Sequence, residues 1–227
     1  MAELLDKIHS VAYWRVVIRP SEFDTRRIPS LGQCKEIVEA SQVVLRGWDY
    51  PHLEEVRTGG DDWIESGCDW DGRHLEYWRF YTSAQFAHQF SAIEEFHRLT
   101  RTPAPERYMI VPNMLYTVTE IFEFAARLAR HDILRPTAQV SIQLHGMRDR
   151  ELTYQDLMRS IGFGPYVCGR DEITYATEAS EAQLLGRAAE LAIDATIALY
   201  ERFEWFSPPR APFVEEQRKF LERRLGV

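Results

Sequence analysis

The sequence predicts an α+β protein, with helices packed on a mainly antiparallel or mixed sheet. Three observations carry that expectation. Residues 73–82 (RHLEYWRFYT) and 85–92 (QFAHQFSA) alternate in side-chain character, the period-two pattern of paired strands. Ser30–Gln33, Thr117–Glu120 and Ser180–Gln183 have the spacing of capping boxes, in which a side chain at the helix start satisfies a free amide. Strands and helices follow one another without strict βαβ alternation.

Taken in order, residues 2–10 place Leu4, Leu5 and Ile8 at helical spacing, a short amphipathic helix or arm. Residues 12–19 (AYWRVVIR) form a β-rich first strand that ends at Pro20, which has no amide to donate. A helix capped by Ser30 runs to about residue 40, with Leu31, Cys34, Ile37 and Val38 on one face. The continuous apolar run in 41–49 (SQVVLRGWD) suits a buried central strand, and Gly47 marks a bulge or close approach. Residues 51–72 read as an irregular acidic loop carrying Asp61, Asp62, Asp69 and Asp71, in which Trp63 and Trp70 need partners. In the aromatic pair that follows, Glu76, Trp78 and Phe80 share one face and Tyr77, Arg79 and Tyr81 the other.

Residues 94–107 are a short helical or looped segment, closed by Pro103 and Pro105, ahead of a short strand at 108–111. The clearest helix spans 113–131, with Leu115, Val118, Phe122, Ala125 and Ala129 as its stripe. Strands are expected at 138–147 and 171–177, with 151–154 returning antiparallel after a turn at Arg148–Asp149. Ser180 opens a long helix to about residue 203, and a charged helix over 213–224 follows three prolines. With no Gly/Ser linker and no repeat, residues 1–227 read as a single domain. Within it, 1–10 is a helical arm and 208–227 a peripheral C-terminal helix.

Composition bounds the function. A chain of 227 residues buries roughly 70% of its unfolded surface and needs no staple. The formal net charge is −8 and no Lys/Arg run exceeds two, so nucleic acid is disfavoured as the main partner against a protein or a small ligand. Lysine occurs only at Lys7, Lys35 and Lys219, so the cations are mostly arginines, suited to bidentate pairing and to covering aromatic rings. Cys34, Cys68 and Cys168 are odd in number and far apart, which predicts buried reduced thiols of a cytoplasmic protein. No signal-peptide pattern and no apolar run of about 20 residues is present, so no membrane association is expected.

Three groupings could carry chemistry. Leu45 to His52 sets Arg46, Trp48, Asp49 and His52 at a strand end, the edge of a pocket with an anion partner, a stacking ring and a titratable imidazole. Its structural counterpart is a strand edge with an Arg–Asp pair. His74, Glu76, Arg79 and His88 lie on the aromatic strands, where His74 and Glu76 share a face. Two ligands do not make a metal site, and no HExxH, HxH or CxxC occurs, so no metal is expected. His88, between Phe86 and Phe90, reads as a hydrogen-bonded core histidine. Glu120 falls beside the helix stripe, either as a buried acid paired with Arg46 or Arg79 or as a capping-box acid. The expected binding set is therefore Arg46, Trp48, Asp49, His52, Arg79 and Glu120. No GxGxxG, GxxxxGK[ST] or GxSxG motif occurs, and no cofactor is expected.

The series WRVVIRP (Trp14 to Pro20), VVLRGWDYPH (Val43 to His52), EYWRFYTSAQFAH (Glu76 to His88), LYTVTEIFEFAARLA (Leu115 to Ala129) and ERFEW (Glu201 to Trp205) resembles the C-terminal region of bacterial proteins that carry a Schlafen-type AlbA-like DNA-binding domain. The resemblance implies a bacterial cytoplasmic accessory or sensing module in regulation or antiviral defence. It brings no catalytic residues. The chain starts near the first of these motifs, so the AlbA-like domain is not expected within it. The function expected from residues and resemblance together is a non-catalytic ligand- or protein-binding module. A metal-independent hydrolase or nuclease using His and Glu groups, and a homo-oligomeric assembly subunit such as a homodimer, are the alternatives.

Overall fold

The computed structural model describes residues 1–99, 104–155 and 164–223. In chain order these form α1 (Ala2–His9), β1 (Tyr13–Pro20), α2 (Leu31–Ser41), β2 (Val43–Val44), β3 (Asp49–Tyr50), β4 (Arg57–Thr58), β5 (Trp63–Asp69), β6 (Leu75–Tyr81), β7 (Phe86–Ser91), a 3-10 turn (Ile93–Glu95), β8 (Tyr108–Ile110), α3 (Val111–Ala129), β9 (Thr137–His145), β10 (Glu151–Thr153), β11 (Glu172–Ser180), α4 (Glu181–Glu201) and α5 (Arg210–Leu221). Pro103 and Arg224, which belong to expected elements, lie outside the described residues.

Seven strands make one antiparallel sheet in the order β11-β9-β1-β7-β6-β5-β4. The α+β class expected from the sequence is therefore observed. Side chains alternate faces along each strand, and the register joins the inward-facing residues into rows. One row runs Cys68, Glu76, Phe90, Trp14, Leu144, Ile173 from strand to strand. The next runs Ser66, Trp78, His88, Val16, Ile142, Tyr175. Most of these side chains are apolar and buried, so the two titratable interruptions at neighbouring positions, Glu76 and His88, stand out.

Helix α3 covers this face, with Phe124 against Phe86 at 4.7 Å between ring centroids. Helix α4 packs along α3 and reaches β11, while α2 reaches β5 and β6. Helix α5 closes over α3 and α4. Its Gln217 donates to Thr119 Oγ1 at 3.1 Å and to the Ala189 carbonyl at 2.9 Å, and Phe220 stacks on Tyr116 at 4.3 Å. The peripheral C-terminal helix thus has a buried face. The N-terminal helix is docked on the sheet's opposite face, where Ile8 packs with Leu75 and Tyr77. Gly67 permits this approach, since a Cβ there would lie 2.9 Å from the Glu76 carbonyl oxygen and 2.8 Å from Leu4.

Several expectations are corrected. Residues 41–49 do not form a central strand. Gly47, at φ +88°, turns the chain so that β2 and β3 form a separate two-stranded sheet among the described residues. The acidic loop contains β5, whose inward Ile64, Ser66 and Cys68 give an alternation masked by Gly67 and the flanking acids. Helix α3 starts at Val111, with Pro112 in its first turn and no side-chain cap. Thr117 and Glu120 are interior residues of α3, not a capping box. The Ser180 box is complete, and Ser30 accepts from the Gln33 amide. Strand β10 pairs parallel with β8 in a separate small sheet and does not return antiparallel. The three cysteines are free and buried, as expected. Among the described residues no helix is long and apolar enough to cross a membrane.

Candidate functional site

A cavity of about 220 Å³ opens between the inner face of the sheet, the first half of α3 and the β2–β3 hairpin. Each wall follows from a local choice of residues. The Gly47 turn projects Arg46 and Trp48, strands β1 and β7 contribute Trp14 and Phe90, and α3 presents Asn113, Thr117 and Glu120, spaced on one helical face. Trp70, from the β5–β6 turn, closes another side together with His74.

Two buried carboxylates define its chemistry. The first, Glu76, is ringed by imidazoles. His52 Nδ1 hydrogen-bonds to its Oε2, and His74 Nε2 lies 2.8 Å from the same oxygen. His88 Nε2 sits 3.0 Å from Oε1 without hydrogen-bond geometry, and the His52 backbone N–H donates to Oε1 at 2.9 Å. Burial alone would raise the Glu76 pKa, but the surrounding imidazoles outweigh it and hold the carboxyl well below its usual range. Burial likewise opposes a charge on His52, yet its bond to Glu76 raises its pKa. For His88, burial prevails and lowers it. The far nitrogen of His52, Nε2, is buried and has no partner among the described residues.

The second carboxylate is Glu120. Arg46 reaches its Oε2 through Nε at 3.0 Å and Nη2 at 2.5 Å. The same guanidinium donates to Asn113 Oδ1 at 2.5 Å and Thr117 Oγ1 at 2.8 Å. Burial raises the Glu120 pKa even with Arg46 beside it. Its other oxygen, Oε1, is buried and accepts no hydrogen bond from the described residues. Arg46 also lies 5.6 Å from the centroid of the Trp48 ring, which is 40% exposed at the cavity rim.

Five of the six expected binding residues, Arg46, Trp48, Asp49, His52 and Glu120, line this one cavity. Arg79 does not. Its position on the odd-numbered face of β6 sends it to the other side of the sheet, where it meets Glu65, Tyr77 and Trp63. Glu120 accordingly pairs with Arg46, not Arg79. His88 is the buried histidine expected, 3.2 Å from the Tyr50 hydroxyl, and it also borders the cavity. Sequence reasoning missed Trp14, Trp70, Asn113 and Thr117, which enter through strand register and helix phase. It found His74 and Glu76 as a two-residue pair, whereas the fold adds His52 and Cys68, so that one donor atom from each of the four lies within 4.8 Å of the others.

A larger open concavity of about 530 Å³ lies elsewhere, around His9, Glu95, Tyr108, His145 and Arg150. Its Arg150 is already tied to Glu95. No protein-family model, curated protein or solved structure matches the chain.

Proposed function

We propose that this protein is a ligand-binding module whose cavity takes a small flat molecule bearing an N–H or amine donor. The observation that carries the reading is Glu120 Oε1, a buried carboxylate oxygen with no partner among the described residues, in a cavity walled by Trp14, Trp48, Trp70 and Phe90. A buried unsatisfied acceptor is costly, and a donor on a ligand removes that cost. Aromatic walls supply contact area and stacking with little conformational ordering, and a few convergent polar groups fix orientation. At about 220 Å³ the cavity is below the usual range for drug-sized ligands, so the ligand is small. A regulatory or defence setting in bacteria rests on the sequence resemblance alone.

The test is calorimetric titration with adenine, 2-aminopyridine and tryptamine in the presence of a chelator. At least one binds one-to-one. Glu120→Gln weakens it by about tenfold or more, the scale of one hydrogen bond to a charged group, and Trp48→Ala weakens it by about tenfold through lost ring stacking. If none of the three binds the wild-type chain, the reading fails.

One observation favours a second reading, acid–base catalysis. His52 has Nδ1 on the Glu76 carboxylate and Nε2 unpartnered among the described residues, the arrangement of an oriented general base. On that reading the protein accelerates hydrolysis of p-nitrophenyl acetate and His52→Ala abolishes the acceleration. Equal rates for the two proteins dismiss it.

A further inference from the structure

We propose that His52, Cys68, His74 and Glu76 form a four-coordinate site for a divalent transition metal, with Zn²⁺ best matched to their donors. This inference does not rest on the organic-ligand reading, because it concerns the donors beneath His52 and its probe is the metal alone.

Strand register brings the donors together. Cys68 and Glu76 face each other across the β5–β6 register, and both point inward. His74 precedes Glu76 by two residues and shares its face. His52 arrives from the segment after the β2–β3 hairpin. One donor atom from each of the four residues lies within 4.8 Å of the others. Tetrahedral zinc, with bonds of 2.0–2.3 Å, places its donors roughly 3.3–3.8 Å apart. The His74–Glu76 separation of 2.8 Å is shorter than this and the 4.8 Å limit is longer, so side-chain shifts of about half an ångström to one ångström accommodate the ion.

The donor set suits the metal. Two imidazoles, a carboxylate and a thiolate are ligands zinc accepts together. They carry two negative charges in total once the cysteine has lost its proton to solvent, which neutralises a dication in a buried place. The surroundings also have the form of a metal shell. Glu76 Oε1, the oxygen not shared by the two histidines, accepts from the His52 backbone at 2.9 Å, and the Trp78 indole donates to the His52 carbonyl at 2.7 Å. His52 is therefore fixed from both sides of its backbone. Trp70 caps His52 and His74, at ring-centroid distances of 4.5 and 5.2 Å, and is anchored to Glu54 Oε1 at 2.8 Å. Ligation through Nδ1 leaves His52 Nε2, which has no partner among the described residues, outside the donor set.

The experiment uses the chelator-treated full chain titrated with Co²⁺, followed by visible absorption, with Zn²⁺ as competitor. One equivalent binds with the intense d–d bands of tetrahedral cobalt and a thiolate-to-cobalt charge-transfer band, and Zn²⁺ displaces it. Cys68→Ser loses the charge-transfer band. His74→Ala weakens binding by more than about 100-fold, beyond the effect of losing an outer-shell partner. Arg79→Ala, on the far face of the sheet, titrates as wild type. The proposal is overturned by no stoichiometric binding, by the weak spectrum of six-coordinate cobalt, or by a charge-transfer band that survives in Cys68→Ser. His74 is only partly buried, so its variant is expected to fold, with circular dichroism as the check. Should it not fold, the Cys68→Ser spectrum decides.

Discussion

At the residue scale, two arginines that look alike in the sequence have opposite weights. Arg46 and Glu120 form a buried pair, with side chains 12% and 1% exposed. Removing Arg46 leaves a buried acid whose partner is gone, so Arg46→Ala is expected to cost about 3–5 kcal/mol in urea unfolding. Arg46→Met with Glu120→Met should recover most of that loss. Arg79, more than one third exposed beside Glu65, is expected to change stability by no more than about 1 kcal/mol when replaced by alanine. Equal losses for the two single variants would contradict this placement.

Glu94 gives a pH-dependent case away from the cavity's carboxylates. Its Oε1 accepts from the Ile110 amide at 3.1 Å and from Asn113 at 2.9 Å, while Oε2 is buried without a partner among the described residues. Burial raises its pKa above the ordinary carboxyl value, despite those two donors. As pH rises from the unfolded-state pKa, about 4.3, towards the higher folded-state value, the unfolded chain gives up its proton first. Stability is therefore lost over that window. Glu94→Gln keeps an acceptor for both donors and removes the titration. Its stability relative to wild type should rise as pH is taken from 4 towards neutrality, read as the urea midpoint. A constant difference would contradict the raised pKa.

At the element scale, the sequence showed what depends on local periodicity and hid what depends on pairing. Strands β6 and β7 were legible because aromatic residues alternate there, and α4 because Ser180 and Gln183 close a full capping box. Strand β5 was not, since Gly67 and its acids resemble a loop and its inward Cys68 gains meaning only opposite Glu76. The β2–β3 hairpin looked like one buried strand because its apolar run hid a turn at Gly47. Parallel pairing of β8 with β10 is a long-range fact with no local signal. The small core under α1 is a separate element-scale test. Ile8 is fully buried against Leu75 and Tyr77, so Ile8→Ala is expected to cost roughly 2–5 kcal/mol. Faster amide exchange in α1 and β6 should accompany it. A loss below about 1 kcal/mol would mean that α1 does not dock as described.

At the scale of the whole molecule, the sheet serves as a platform with two uses. Its inner face carries the main core and, near the ends of β1, β6 and β7, the cavity; its outer face carries α1 and polar pairs such as Arg15 with Gln143. Five of six expected site residues converge because the hairpin, the segment just after it and α3 meet over the sheet, a meeting that no spacing in the chain encodes. The sixth, Arg79, was misplaced by its nearness in sequence to Glu76, although strand alternation already set the two on opposite faces.

If this one cavity is the binding site, its tryptophans report on the ligand. Trp14, Trp48 and Trp70 line the cavity, whereas Trp63 stacks near Arg79 and Trp205 packs against Tyr166 and Tyr200. The most direct measurement is the two-dimensional ¹H–¹⁵N spectrum of the indole N–H groups as the tightest-binding of the three amines is added. The indole signals of Trp14, Trp48 and Trp70 should shift together and saturate at one equivalent, while those of Trp63 and Trp205 stay in place. Saturating shifts at Trp63 or Trp205, with the cavity indoles unmoved, would contradict the account.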